Sequence, residues 1–132
     1  MEFGIWHDHE PSFGREPREH TAQRFVEHPE TFDLVATLVA DNLEDAYALS
    51  QHFSSIDWTK GSAIVWARPQ PEHPQQTATS SHGALHIRTN ATRSTSVGDV
   101  ISISSTSPEY RQARASGKSF WVVDRFGFYP EE

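Results

Sequence analysis

The sequence has no cysteine, which excludes a disulfide framework, a zinc–thiolate site and a cysteine nucleophile and makes the interior of a cell the expected compartment. It also lacks any run near the ~18 apolar residues that a membrane span needs. Met1 to Trp6 carries neither the basic start nor the long apolar stretch of a secretory leader, so a soluble chain with no membrane partner is expected. Basic residues are scarce: 11 against 18 acidic ones, a formal charge of −7. Tight binding to nucleic-acid phosphates draws on Lys and Arg displacing counterions, so nucleic acid is not an expected partner and a basic protein surface suits the charge better. There is no Gly-rich phosphate loop and no Gly-x-Ser-x-Gly nucleophile elbow. No cofactor and no catalytic residue is expected.

What is present reads as one domain, since 132 residues suffice for one core and are too few for two ordinary ones. Only 36% of the residues are hydrophobic and the mean hydropathy is −0.62, so tails or loops should lie outside that core. Residues 1–30, with histidines, prolines and scattered charges, predict a partly irregular N-terminal arm. In it Phe3 to Trp6 is a brief strand able to add to a sheet edge, and Arg18 to Glu27 a short helix. The apolar pattern sharpens from Thr31: Phe32, Leu34, Ala36, Leu38 and Ala40 predict a central strand. Asp41 with Glu44 has capping-box spacing, and Leu43, Ala46, Tyr47, Ser50 and Phe53 form the stripe of a helix over Asn42 to Phe53. Further strands are predicted at Gly61 to Ala67, Ala84 to Arg88, Asp99 to Ser104 and Ser119 to Asp124, with polar loop inserts near 68–83 and 105–118. Gly127 lets the chain bend between two aromatics. The expected architecture over 31–129 is a single α+β domain: a twisted, mostly antiparallel sheet of four or five strands, one main helix packed on one face.

The order of these elements, with Asp41-Asn-Leu-Glu-Asp-Ala-Tyr-Ala-Leu-Ser50, Ile56-Asp-Trp58, Arg93-Ser-Thr-Ser-Val-Gly-Asp-Val-Ile101 and Trp121-Val-Val-Asp-Arg-Phe-Gly-Phe128, resembles the small YodL/KfrB-like domains. These occur in accessory and polyvalent proteins of phages, plasmids and conjugative elements. The resemblance covers Phe32 to Phe128 apart from the two inserts. It implies a protein of a mobile genetic element acting in the host cytoplasm, with a part in conflict with the host, and it carries over no catalytic residue.

Three groups of side chains are candidates for chemistry or binding. Arg93, Ser94, Thr95 and Ser96, with Asp99, combine a guanidinium, three hydroxyls and backbone amides able to hold a phosphate or carboxylate. The simpler reading has the same hydroxyls satisfying backbone groups where a loop enters a strand. A Ser-Thr-Ser segment also occurs in ADP-ribosyltransferases, but no Glu-x-Glu or Gln-x-Glu follows it here. His7 and His9 are metal-ligand types two residues apart, for which His20 and His28 offer no diagnostic spacing, and His73, His82 and His86 surround a polar loop. A metal is therefore not expected. The acidic pairs Glu44-Asp45 and Glu131-Glu132 fall at a helix start and on a tail.

The third group is aromatic. One helix does not use all of Trp58, Trp66, Phe120, Trp121, Phe126, Phe128 and Tyr129, so Trp58, Trp121 and Tyr129, with Asp124, are candidates for an exposed protein-binding face. These features favour a non-enzymatic protein-binding or inhibitory module that engages a host protein through an acidic and aromatic surface. The alternatives are a small-ligand or anion-binding domain or enzyme at the Arg93 loop, and a self-associating assembly subunit of a phage or conjugation apparatus.

Overall fold

The computed structural model describes residues 1–10, 12, 14–52, 57–69, 75–79, 85–88 and 93–130. Among the described residues are eight strands: β1 (Glu2–Asp8), β2 (Phe32–Val39), β3 (Ile64–Ala67), β4 (Gln75–Thr79), β5 (Leu85–Arg88), β6 (Val100–Ile103), β7 (Phe120–Asp124) and β8 (Gly127–Tyr129). The helices are α1 (Arg18–Glu27), α2 (Leu43–Leu49) and α3 (Tyr110–Ala115). Six strands form one sheet in the order β3-β2-β1-β6-β7-β8, every pairing antiparallel. Strands β4 and β5 pair with each other as a separate two-stranded ribbon.

The α+β class and the antiparallel sheet agree with the sequence, but the main sheet has six strands rather than four or five. The largest correction concerns the N-terminus. Instead of an arm touching an edge, β1 lies between β2 and β6, with Ile5 opposite both Ala36 and Ile101. Its alternation explains the place: Phe3 and Ile5 enter one core and Trp6 the other, the period-two division expected of a strand covered on both faces.

The helices divide between those faces. On the first, Leu43, Ala46 and Tyr47 of α2 and Tyr110 and Ala113 of α3 pack on Phe3, Ile5, Leu38, Ile101, Trp121 and Val123. On the second, Ala22 and Phe25 of α1 pack on Trp6, Phe32, Val100, Phe120 and Val122. A single main helix on one face is thus replaced by helices on two. Phe25 is the centre of the second core, its ring 5.2 Å from Trp6, 5.2 Å from Phe32 and 4.9 Å from Phe120 between centroids. The edge-to-face and tilted arrangements suit aromatic quadrupoles.

Helix α2 starts one residue later than the capping-box spacing predicts. Asn42, not Asp41, is the N-cap, its side chain accepting from the Asp45 amide at 2.8 Å; an amide oxygen serves there as well as a carboxylate. The insert expected at 105–118 contains α3. The insert expected near 68–83 contains β4, and α2 ends at Leu49 with Ser50 as its C-cap, short of the predicted Phe53, which lies outside the described residues. No described helix is long and apolar enough to cross a membrane.

Candidate functional site

The loop leading into β6 is held by Asp99, whose side chain is completely buried. Arg93 grips it bidentately, Nη1 to Oδ2 at 2.6 Å and Nη2 to Oδ1 at 2.7 Å. The Asp8 amide donates to Oδ1 at 3.0 Å and the Ser96 amide to Oδ2 at 2.8 Å. A buried carboxylate requires such compensation, because its desolvation is recovered only through close, charge-assisted hydrogen bonds. Gly98 makes the turn before it at φ +96°, a conformation that a side chain disfavours.

The hydroxyls of the loop are also engaged. Ser94 Oγ accepts from the His52 amide at 2.8 Å, Thr95 Oγ1 lies 3.0 Å from His7 Nε2, and Ser96 Oγ accepts from Arg93 at 3.0 Å. The loop is tied to α2 by Gln51, which donates to the Thr95 carbonyl at 2.7 Å, and to Trp58, whose indole donates to the Arg93 carbonyl at 2.9 Å. Of the five predicted residues, Arg93, Ser96 and Asp99 therefore converge onto one another, while the Ser94 and Thr95 hydroxyls turn to His52 and His7. Asp99 occupies the guanidinium that an anion would need.

His7 faces this network from β1. Burial drives its pKa down to about 4, the pull of Asp99 upward being smaller and opposed by Arg93. The imidazole is therefore neutral near pH 7, and its 4.0 Å approach to Asp99 is not an ion pair there. His9 goes elsewhere, 2.8 Å from Asp33, whose carboxyl its hydrogen bond holds below the ordinary value. No group of three or more potential metal ligands is assembled among the described residues.

A second buried carboxylate, missed in the sequence, sits on the opposite side of β1. Asp8 receives both terminal nitrogens of Arg24, at 3.2 and 2.6 Å. Arg24 also reaches Glu16 at 2.8 Å and Thr31 at 2.9 Å, and its guanidinium lies 4.6 Å over the Phe32 ring. These bonds, Glu16 foremost, raise the pKa of Arg24 and lower that of Glu16. The network fastens α1 to the sheet, and the only signal for it was an arginine and a glutamate in a segment read as an arm.

The aromatic candidates separate. Trp58 and Trp121 are 4% and 8% exposed and belong to the first core, a correction to their reading as a docking face. Asp124 is bonded by Arg18 at 2.7 Å, which lowers its pKa, and the same guanidinium lies 4.9 Å over Tyr129. Large apolar residues are exposed elsewhere, Val26 on α1 and Leu49 on α2 among them, and the β3 edge carries two in succession. Val65 is 59% and Trp66 44% exposed, Trp66 pairs with Thr37, and a bulge displaces Val65 from the ladder. Val39 on neighbouring β2 is exposed as well. At the other end of the sheet, Phe126 in the β7–β8 turn is fully exposed. Compared with known proteins, the chain matches no family model, no curated protein and no solved structure.

Proposed function

We propose that the protein is a non-enzymatic binding module that docks a partner protein along the β3 edge of its sheet, through Val65, Trp66 and Val39. The observation that carries this reading is the exposure of a tryptophan and two valines together on an outer strand and its neighbour. Outer strands leave backbone groups open to another chain, and proteins ordinarily guard them with charge or proline; here the exposed residues are apolar. An extended partner segment added beside β3 would gain main-chain hydrogen bonds and lay apolar side chains over Trp66. The charge of −7 favours a basic partner and repels nucleic acid. The resemblance to YodL/KfrB-like domains adds a mobile-element setting and a host protein as the partner, with inhibition of that protein as the consequence.

The Arg93 loop supports this reading by what it lacks for the competing one: its cation is spent on Asp99. Capture of a host protein from lysate by the wild type, compared with Trp66→Glu and with Phe126→Glu, is the test. Loss of one retained protein with Trp66→Glu alone is the expected result. Retention unchanged by Trp66→Glu overturns the β3 surface, and concentration-dependent self-association abolished by that substitution replaces the host partner with a second copy of the chain.

A further inference from the structure

Helix α1 covers only part of its face of the sheet. Beside Phe25 a concave site of about 160 Å³ crosses four adjacent strands: Leu34 and Thr37 on β2, Gly4 and Trp6 on β1, Ser102 on β6 and Phe120 on β7. Trp6, Phe25 and Phe120 supply aromatic walls. The Trp6 indole is held in place, donating to Ser102 Oγ at 2.9 Å. Gly4 makes the floor: a β-carbon there would stand 2.9 Å from Ser102 Oγ and 3.2 Å from Leu34 Cδ1.

The chemistry of the lining is selective. None of the residues around this site carries a charge, although 22% of the chain is charged, so a phosphate or carboxylate would find no counter-ion. The lining is nevertheless polar: Thr37, Ser105 and Ser119 contribute hydroxyls that hydrogen-bond to no described residue, and the Ser102 hydroxyl is still able to donate. A purely apolar ligand would leave these groups without water or partner, at a cost. A flat ring with polar edges satisfies both halves of the site. Its faces stack on the aromatic walls, as bases do on aromatic side chains, while hydroxyls, each donor and acceptor, meet its edge. The volume is on the scale of the roughly 150 Å³ cavity that holds one benzene.

We propose that this site binds one uncharged, planar heteroaromatic base of the nucleobase class, presented as a base or nucleoside and not as a nucleotide. The claim is independent of the β3 docking surface. Adenosine, adenosine monophosphate and glucose, titrated into the ¹⁵N-labelled full chain, test it through the Trp6 indole resonance and the amides of Thr37 and Ser102. Adenosine is expected to shift all three and to bind about tenfold more tightly than its monophosphate, the excess arising from charge. Thr37→Trp on β2 and Ser119→Phe just before β7, which fill the site from opposite sides of it, should each weaken adenosine about tenfold with a native-like spectrum otherwise kept; either folded variant suffices. Glucose shifting these resonances while adenosine leaves them unmoved overturns the ligand class. Adenosine shifts confined to other residues, or none at its solubility limit, overturn the site.

Discussion

The backbone amide of Asp8 donates to the buried carboxylate of Asp99 at 3.0 Å, while the Asp8 side chain turns the other way to Arg24. One peptide of β1 thereby joins two arginine–aspartate pairs, the Arg93 pair beside Trp58 and α2 and the Arg24 pair beneath α1. Neither pair is available to a ligand, and both lock segments distant in sequence onto the same strand.

Arg93→Met leaves Asp99 buried with its strongest donor gone. Loss of one partner of a buried pair costs ~3–5 kcal/mol. The lower end is expected here, because the Asp8 and Ser96 amides still serve the carboxylate. Urea unfolding of Arg93→Met, Asp99→Asn and the double variant should show strong non-additivity, the double costing well under the sum of the singles.

Arg24→Met should loosen α1 rather than the whole domain. It strips Asp8 of its cation and frees Glu16, while Phe25 still packs among Trp6, Phe32 and Phe120. Amide exchange should accelerate throughout Arg18–Glu27 and remain slow in β6, and global stability should fall by about 2 kcal/mol.

His7 ties stability to acidity. Its pKa is about 4 in the folded chain against an ordinary 6.5, so between these values the unfolded chain holds the extra proton and stability rises with pH. The contribution is complete above pH 6.5 and disappears as pH falls through 4. It is worth about 3 kcal/mol in total, at ~1.4 kcal/mol per pKa unit. His7→Gln should flatten this part of the stability profile, measured by urea midpoints from pH 7 to 4.

Trp66→Ala and Trp121→Ala should behave oppositely in thermal unfolding. The first removes an exposed ring and should change stability by under ~0.5 kcal/mol. The second empties part of the first core and should cost ~3–5 kcal/mol. Equal losses would place Trp66 in the core and leave β3 without its docking residue.

The elements most legible in the sequence were those whose own pattern decides their fate. Phe32 to Val39 is apolar enough to be central wherever it lies, and the Leu43, Ala46 and Tyr47 stripe specifies which side of α2 is buried. β1 was harder because Glu2, His7 and Asp8 read as solvent residues. His7 and Asp8 are tolerated inside because Thr95, Asp99 and Arg24, far from them in the chain, complete their hydrogen bonds, while Glu2 stays partly exposed and accepts from Thr106; a distant partner leaves no local periodicity. The Arg93 segment stands out in the sequence by its residue types, but the Arg93–Asp99 pairing depends on a side-chain direction that spacing does not encode. Phe120 and Tyr129 look surplus only if α1 is assigned to an arm; they pack in the second core beside it, whereas Trp58 and Trp121 fill the first.

The sheet order has a consequence for how the chain divides. β1, β2 and β3 form one meander and β6, β7 and β8 another, and the strand pairing between them is the β1–β6 seam, where Phe3 lies opposite Ile103 and Trp6 opposite Val100. The connection from Ala67 to Val100 leaves at an edge and re-enters at the centre. A chain severed within it would retain each three-stranded meander whole, so the two halves are natural fragments for complementation. Their reassembly would report directly on the seam, and in the intact chain that long connection can change length with little added closure entropy.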